Sequence, residues 1–261
     1  MTVIYIAGYG RSGSTALELL VAQSPSVISL GELVQVDRYG SNAAVCTCGK
    51  PVVDCNHYKN LSDLEKPVFT NKFSYLFLSI LYFLNIRSEL SGSVSKAVDG
   101  LPEGKALLDS SKSTFYSLFR PFEYRKKGRK VYIIYNKRRT KDTLASLLRG
   151  SNRDLEKGMS FPDKIKTYLL LPFRVINFFF FGRASLYVYK IFFGSNVIEV
   201  KYEEWVDDPN EMIYAIGRAT NISTEKIENA YGENRLYVGH AVAGNRMRAN
   251  KYGQYVTLGK R

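Results

Sequence analysis

The 261-residue chain has little cysteine, histidine and tryptophan: three cysteines, two histidines and one tryptophan. Three cysteines do not make the disulfide framework of a small secreted domain, and two histidines leave few candidates for a histidine base. No uninterrupted apolar stretch reaches about 18 residues, the length needed to cross a bilayer. The first strand-like segment begins at residue 3, so we expect no signal peptide and a cytoplasmic location.

Acidic residues are also scarce relative to basic ones. The chain has 24 Asp and Glu against 37 Lys and Arg, a formal net charge of +13. This excess favours an anionic partner, which could be a multiply phosphorylated cofactor, an acidic glycan, nucleic acid or a membrane surface. Hydrophobic residues make up 45% of the chain, enough for one large core.

Short apolar segments alternate with helix-like segments along the sequence. This alternation predicts a single α/β domain with a mostly parallel central sheet flanked by helices, and ligands at the carboxyl ends of the strands. The predicted strands are Val3–Ala7, Val27–Leu30, Ala106–Asp109, Val131–Tyr135 and Asn196–Tyr202. The predicted helices are Ser14–Gln23, Lys72–Asn85, Ser113–Lys127, Lys141–Arg149, Pro162–Phe193 in pieces, and Pro209–Thr220.

The first predicted strand leads into a loop of glycines and hydroxyl side chains and then into a helix. This arrangement suits a phosphate, because glycines let the backbone approach the anion and the helix N-terminus adds a partial positive charge. Gly8 and Gly13 stand where the ATP-binding pattern G-x-x-x-x-G-K-[ST] has glycines, but Ser14 replaces its lysine. The missing lysine, with Arg11 inside the loop, favours a different phosphorylated ligand.

The loop resembles the 5′-phosphosulfate-binding loop of sulfotransferases that use 3′-phosphoadenosine 5′-phosphosulfate (PAPS). The resemblance implies a P-loop NTPase-like architecture, PAPS as cofactor, adenosine 3′,5′-bisphosphate (PAP) as product and no required metal. It assigns the 5′-phosphosulfate to Gly10, Arg11, Ser12, Gly13, Ser14 and Thr15.

A second segment extends the resemblance. Sulfotransferases place an arginine just after a core strand and a serine eight residues later, and both hold the 3′-phosphate of the cofactor. Arg138 and Ser146 match this spacing, and a guanidinium is well suited to phosphate oxygens. The sequence departs from the usual Arg-Asp-Pro-Arg of the family, because Arg139, Thr140 and Lys141 occupy the last three places.

Glu32 and Lys112 are the predicted catalytic residues. Glu32 lies at the same offset after the loop as the catalytic glutamate of tyrosylprotein sulfotransferases, which the N-terminal segment resembles, and a carboxylate can accept the acceptor's proton. Lys112 ends a segment that resembles the Asp-Ser-Ser-Lys of bacterial sulfotransferases, and it could neutralise charge on the leaving oxygen. Asp109, in the same segment, could instead hold Mg²⁺, as a kinase would require.

The C-terminal segment His240 to Arg248 resembles the His-x-x-x-Gly-Asn-Pro-x-Arg segment of the family, with arginine at the proline position. By analogy, residues 235–261 cover the cofactor, Arg248 adds a phosphate contact, and residues 35–105 form an acceptor-side flap.

Three cysteines, Cys46, Cys48 and Cys55, lie in the predicted flap. Their spacing to His57, C-x-C-x₆-C-x-H, is not a common zinc pattern. We therefore expect no metal site, while oxidation of Cys46 or Cys48 with Cys55 stays open.

The resemblance covers residues 1–261 and implies a PAPS-dependent sulfotransferase of bacterial type that acts by in-line transfer to an acceptor hydroxyl. The basic charge and the aromatic segments Phe73–Leu84 and Tyr168–Phe181 favour a glycan or a lipid-linked glycan. A small alcohol, a peptide tyrosine and peripheral contact with the inner membrane face stay open; no nucleic acid is expected. The alternatives are a P-loop kinase or NTPase and a non-enzymatic basic module that binds nucleic acid or membranes.

Overall fold

Five parallel strands form the central sheet, in the order β2–β3–β1–β4–β5. The computed structural model describes residues 2–69, 71–100, 102, 104–112, 115–146, 180, 182–242, 247 and 250–258. The strands are β1 Thr2–Gly8, β2 Val27–Gly31, β3 Ala106–Asp109, β4 Lys130–Lys137 and β5 Val197–Lys201; β6 Leu236–Tyr237 and β7 Tyr255–Val256 form a separate antiparallel pair. The predicted α/β class and parallel sheet are confirmed, with all five predicted strands present.

Helices cover both faces of the sheet. They are α1 Ser14–Val21, α2 Val34–Tyr39, α3 Lys72–Phe83, α4 Gly92–Asp99, α5 Arg120–Lys126, α6 in residues 140–146, α7 in residues 182–193, α8 Tyr202–Asp207, α9 Asn210–Thr220 and α10 Glu225–Gly232. Short 3₁₀ helices occupy Val52–Asp54, Asn56–Leu61 and Gly194–Asn196.

The alternation of side chains along β1 explains the layers. Val3 and Tyr5 pack with α2, α4, α5 and α7, whereas Ile4 and Ile6 pack with α1, α8, α9 and α10. Successive residues of a strand face opposite sides, so a strand that is apolar throughout is buried on both faces. Ile4 and Tyr5 are both fully buried.

Some predicted helix boundaries are wrong. The predicted helix over 113–127 is helical only from Arg120, where Pro121 occupies the first turn. The Ser117 hydroxyl donates to the carbonyl oxygens of Ser111 and Lys112, so the preceding residues form turns. The described part of the chain does not include residues 113, 114, 147–179, 181 and 248. The predicted contact of Arg248 and most of the aromatic segment Tyr168–Phe181 therefore lie outside the described residues.

The C-terminal segment returns to the end of β2. The N–H of Glu32 donates to the carbonyl of Val242 at 3.1 Å, and the N–H of Val242 donates to the carbonyl of Leu30 at 3.0 Å. Residues 32–105 form one long connection between the neighbouring strands β2 and β3. The role of residues 35–105 as an acceptor-side flap and that of residues 235–261 as a cofactor cover stay predictions.

Candidate active site at the carboxyl ends of the strands

The strand order brings the predicted site residues into one row. Glu32 follows β2, Lys112 follows β3, the glycine-rich loop follows β1 and Arg138 follows β4. These four strands are consecutive neighbours in the sheet, and neighbouring strands lie about 4.8 Å apart. Lys112 therefore lies between the predicted base and the predicted phosphate loop.

Two glycines allow the loop to pass close to its neighbours. Gly8 has a φ of 126°, and a Cβ there would lie 2.5 Å from the carbonyl oxygen of Asn136. Gly13 has a φ of 90°, and its Cβ would lie 2.1 Å from the Tyr202 ring. Both the backbone conformation and the space require glycine.

Side chains from β4 and α8 hold the glycine-rich loop in place. The Asn136 side-chain amide donates to the carbonyl oxygen of Ser12 at 3.0 Å, and the Trp205 indole N–H donates to the Asn136 side-chain oxygen at 3.2 Å. Asn136 and Ser12 are fully buried. These hydrogen bonds hold the loop through a backbone carbonyl oxygen and use none of its N–H groups.

Arg138 lies against the loop. Its Nη1 donates to the carbonyl oxygen of Arg11 at 2.9 Å, and its guanidinium lies 4.5 Å from the centre of the Tyr202 ring. Ser146 lies on α6, two turns beyond Arg138, and is half-buried. The arginine predicted to bind the 3′-phosphate therefore contacts the loop predicted to bind the 5′-phosphosulfate.

Two buried polar atoms near the loop lack a partner among the described residues. They are the hydroxyl oxygen of Ser12 and the Nε of Arg138. A buried polar group without a hydrogen bond costs free energy, and both atoms can donate to an anionic oxygen. This pair fits a phosphorylated ligand at the loop.

Glu32 and Lys112 form an ion pair. Lys112 Nζ lies 2.5 Å from Glu32 Oε1, with side-chain exposures of 12% and 7%. The Gln35 amide donates to the other Glu32 oxygen at 3.2 Å. The Lys112 carbonyl oxygen accepts hydrogen bonds from the Tyr5 hydroxyl at 2.5 Å and the Ser117 hydroxyl at 2.7 Å, which fixes the turn after β3.

Two of the predicted site residues have a strained backbone. Among the described residues, six other than glycine have a positive φ, and four of them are asparagines, which tolerate this region better than most residues. The other two are Arg11, with a φ of 64°, and Lys112, with a φ of 66°. Such strain persists where the surroundings fix it and concentrates at functional sites.

Asp109 is fully engaged by protein donors. One carboxylate oxygen accepts from the N–H and hydroxyl of Ser111 at 2.9 and 2.5 Å, and the other accepts from Arg120 Nε at 3.1 Å and the Tyr124 hydroxyl at 2.8 Å. A carboxylate offers about four acceptor sites. Asp109 is therefore a structural anchor, and this disfavours its role as a magnesium ligand.

Three solved structures resemble this one over nearly its whole length. The sulfotransferase domain from the curacin biosynthetic pathway has a TM-score of 0.53 and 16% identity, covering 97% of this chain and 83% of that one. The sulfotransferase domain of the Synechococcus PCC 7002 olefin synthase has a TM-score of 0.52 and 17% identity, covering 97% and 81%. Sulfotransferase STF9 from Mycobacterium avium has a TM-score of 0.52 and 12% identity, covering 96% and 72%.

The chain has the sulfotransferase fold. Its sequence matches no protein-family model and has no significant match among curated proteins. The likeness is therefore one of fold, expected from the alternating strands and the loop of Gly10 to Thr15.

Within this sulfotransferase fold, sequence reasoning missed the residues that support the site. Tyr202 contacts both Gly13 and Arg138, Asn136 holds the loop, and Tyr5 holds the turn at Lys112. Tyr5 lies in the middle of β1, whereas Asn136 and Tyr202 lie at or directly after the carboxyl end of a strand, at the edge where ligands bind in α/β sheets. That position was the available signal.

The sulfotransferase fold also brings the three cysteines together with a histidine. The histidine is His240, from the C-terminal segment. The ring of His57 stacks on the His240 ring, with 5.2 Å between the ring centres.

Proposed function

We propose that the chain is a PAPS-dependent sulfotransferase that transfers a sulfuryl group to an acceptor hydroxyl by in-line displacement. The observation that carries the proposal is the row formed by Glu32, Lys112, the glycine-rich loop and Arg138 along four neighbouring strands. This order runs from a base, through a cation, to an anion-binding loop, as sulfuryl transfer requires.

The described residues fit PAPS. Bound PAPS would supply the sulfuryl group and leave as PAP. The loop from Gly10 to Thr15 would hold the 5′-phosphosulfate, and Arg138 and Ser146 the 3′-phosphate. The Ser12 hydroxyl and the Arg138 Nε, both buried and without a partner among the described residues, support this assignment, because each can donate to an anionic oxygen. Arg248, outside the described residues, stays a predicted phosphate contact.

The ion pair suggests how the two catalytic residues act. Lys112 Nζ lies 2.5 Å from Glu32 Oε1. Glu32 then accepts the proton of the acceptor hydroxyl as that oxygen attacks. Lys112 turns towards the loop, where it stabilises negative charge on the departing oxygen.

Two observations favour this reaction over ATP-dependent phosphoryl transfer. Ser14 occupies the place of the lysine that contacts the outer phosphates of ATP. Asp109, the candidate magnesium ligand, has both oxygens occupied by protein donors. A kinase at this site would need to break a buried network before it could bind its metal.

The acceptor we propose is the hydroxyl of a glycan carried on a lipid. Helix α3 and the residue that follows it expose an apolar stripe at helical spacing, formed by Phe73, Leu76, Phe77, Ile80 and Leu84. An exposed apolar patch typically marks an interaction site, and the +13 charge favours an anionic surface. In the described part of the chain no helix is long and apolar enough to cross a membrane. Contact through the 12-residue helix α3 would be peripheral, because a membrane-spanning helix needs about 20 residues.

Labelled PAPS tests the function with the acceptor still unidentified. The protein is incubated with PAPS carrying radioactive sulfur and with separate pools of lipid-linked glycans, free glycans and small alcohols. We expect label in the lipid-linked pool; label only in another pool would move the acceptor class without changing the reaction. No transfer to any pool, while PAPS stays intact and unbound, would contradict the function.

A Glu32→Gln variant identifies the base. Glutamine keeps the size and most hydrogen bonds but cannot accept the proton, so turnover should fall by about 10²- to 10⁴-fold while PAP affinity is retained. Glu233→Gln, a matched change at an exposed position beyond α10, should leave turnover unchanged. Near-normal turnover in Glu32→Gln would remove Glu32 from this role.

A further inference from the structure

Three cysteines and one histidine converge between the flap and the C-terminal segment. The ligand atoms of Cys46, Cys48, Cys55 and His240 all lie within 4.8 Å of one another. Cys46 and Cys55 are buried, and Cys48 and His240 are half-buried. His240 lies 185 residues after Cys55 in the chain, so the cluster depends on the tertiary fold.

Three of the separations within the cluster are close to those of a tetrahedral metal site. The sulfurs of Cys46 and Cys55 each lie 3.4 Å from His240 Nδ1, and the sulfurs of Cys48 and Cys55 lie 3.9 Å apart. With Zn–S bonds of about 2.3 Å and Zn–N bonds of about 2.0 Å, tetrahedral geometry gives about 3.5 Å between sulfur and nitrogen and about 3.8 Å between two sulfurs. Little movement is needed to place an ion at the centre.

A disulfide does not account for the arrangement. Two bonded sulfurs lie about 2.05 Å apart, far less than the 3.9 Å between Cys48 and Cys55. A single disulfide would also leave the third cysteine and the histidine unexplained. The Nδ1 atom of His240 faces the sulfurs of Cys46 and Cys55, and an imidazole nitrogen is a common metal ligand.

We propose that Cys46, Cys48, Cys55 and His240 bind one structural zinc ion. Three thiolates and one imidazole form a closed set of four ligands, which is typical of structural rather than catalytic zinc. Binding replaces three S–H bonds with three Zn–S bonds and releases three protons to solvent, with no transfer of electrons. The proposal departs from the sequence-based expectation of no metal, which considered only His57 as the fourth ligand.

The location gives the ion a structural role beside the active site. The cysteine turn contacts the C-terminal segment through backbone hydrogen bonds, since the N–H of Thr47 donates to the carbonyl of Ala241 at 2.9 Å. Val242, next in the chain, accepts the N–H of Glu32 at 3.1 Å. Zinc would thus tie the flap to the strand-like segment that holds the backbone of Glu32. This inference does not depend on the proposed reaction.

Metal analysis of the intact chain tests the proposal directly. Protein purified without chelators should contain about one zinc per chain by elemental mass spectrometry. A strong chelator should remove it, lower the thermal unfolding midpoint and expose three reactive thiols; added zinc, but not magnesium, should reverse all three changes. Protein that neither retains nor rebinds zinc, or that shows a Cys48–Cys55 disulfide by mass mapping, would overturn the proposal. Stoichiometric iron would overturn the choice of metal.

Two histidine variants test the ligand set. His240→Ala should lose most of the bound zinc, whereas His57→Ala, which removes only the stacked ring, should retain it. Loss of zinc in His57→Ala with retention in His240→Ala would overturn the assignment of the fourth ligand. If His240→Ala does not fold, cobalt bound to the unmodified protein serves instead. Intense thiolate-to-cobalt charge-transfer absorption with a tetrahedral ligand-field spectrum supports the site, and an octahedral spectrum contradicts it.

Discussion

Replacement of Arg138 by alanine separates the two phosphate subsites. Arg138 contacts the loop through the Arg11 carbonyl oxygen at 2.9 Å and has a buried Nε without a partner among the described residues. If the guanidinium binds the 3′-phosphate, Arg138→Ala removes a charge-assisted hydrogen bond worth about 1.5–3 kcal/mol. The affinity for PAP should therefore fall by about 10- to 150-fold.

Adenosine 5′-phosphate lacks the 3′-phosphate and reports on the loop alone. Arg138→Ala also removes the hydrogen bond to the loop carbonyl, so this nucleotide should lose affinity as well, by at most about fivefold, or about 1 kcal/mol. The difference between the two losses measures the contact with the 3′-phosphate. Titration calorimetry with both nucleotides at one salt concentration gives the four dissociation constants needed.

Arg139→Ala is the matched control. Its side chain is exposed, and its backbone N–H, which the variant keeps, donates to Glu203 at 3.0 Å. The same charge is lost one residue away, so a general electrostatic effect would appear in both variants. We expect less than about a twofold change in PAP affinity for Arg139→Ala. Equal losses of PAP and adenosine 5′-phosphate in Arg138→Ala would refute the assignment of Arg138.

Three further predictions concern the site and its support. Lys112→Ala should lower turnover and weaken PAPS binding as well, which single-turnover kinetics with labelled PAPS would separate; an unchanged rate would exclude Lys112 from the reaction. Arg120→Met should lower the free energy of unfolding by about 3–5 kcal/mol in urea titrations, because Arg120 binds the buried Asp37 at 2.6 Å and Asp109 at 3.1 Å; a loss as small as that of Lys96→Met would contradict this. Burial raises the pKa of Glu123 to about 7, so the folded state binds its proton more tightly than the unfolded state and stability falls as pH rises through 7. Between pH 8 and pH 5 the free energy of unfolding of the protein should rise by about 2 kcal/mol more than that of Glu123→Gln. Equal pH dependence in the two proteins would refute the raised pKa of Glu123.

The sequence predicted the strands and the row of site residues because both depend on local patterns. Buried parallel strands are short apolar runs, and a polar residue directly after each run must lie at the carboxyl edge. Glu32, Lys112 and Arg138 were therefore placed correctly relative to the sheet, although their roles stay predictions.

Contacts between distant segments could not be predicted in this way. Nothing near Cys55 in the sequence indicates that His240 lies 3.4 Å from its sulfur, and the ion pair between Glu32 and Lys112 depends on the neighbouring positions of β2 and β3. The short helices α2, α4, α8 and α10 were missed because six to eight residues are too few to show a helical period.

Asp109 shows how an environment decides a role. From the sequence, Asp109 could hold Mg²⁺, as a kinase would require. The structure surrounds it with donors from Ser111, Arg120 and Tyr124, which together occupy the about four acceptor sites of a carboxylate.

The nucleotide preference of the intact protein tests the central claim most directly. Titration calorimetry compares PAP, adenosine 5′-phosphate and ATP with Mg²⁺ at one salt concentration. We predict that PAP binds at least about tenfold more tightly than adenosine 5′-phosphate, since the 3′-phosphate adds a charge-assisted contact, and that it also binds more tightly than ATP with Mg²⁺. Tighter binding of ATP with Mg²⁺ than of PAP, or equal binding of PAP and adenosine 5′-phosphate, would contradict the assignment of a PAPS-dependent sulfotransferase.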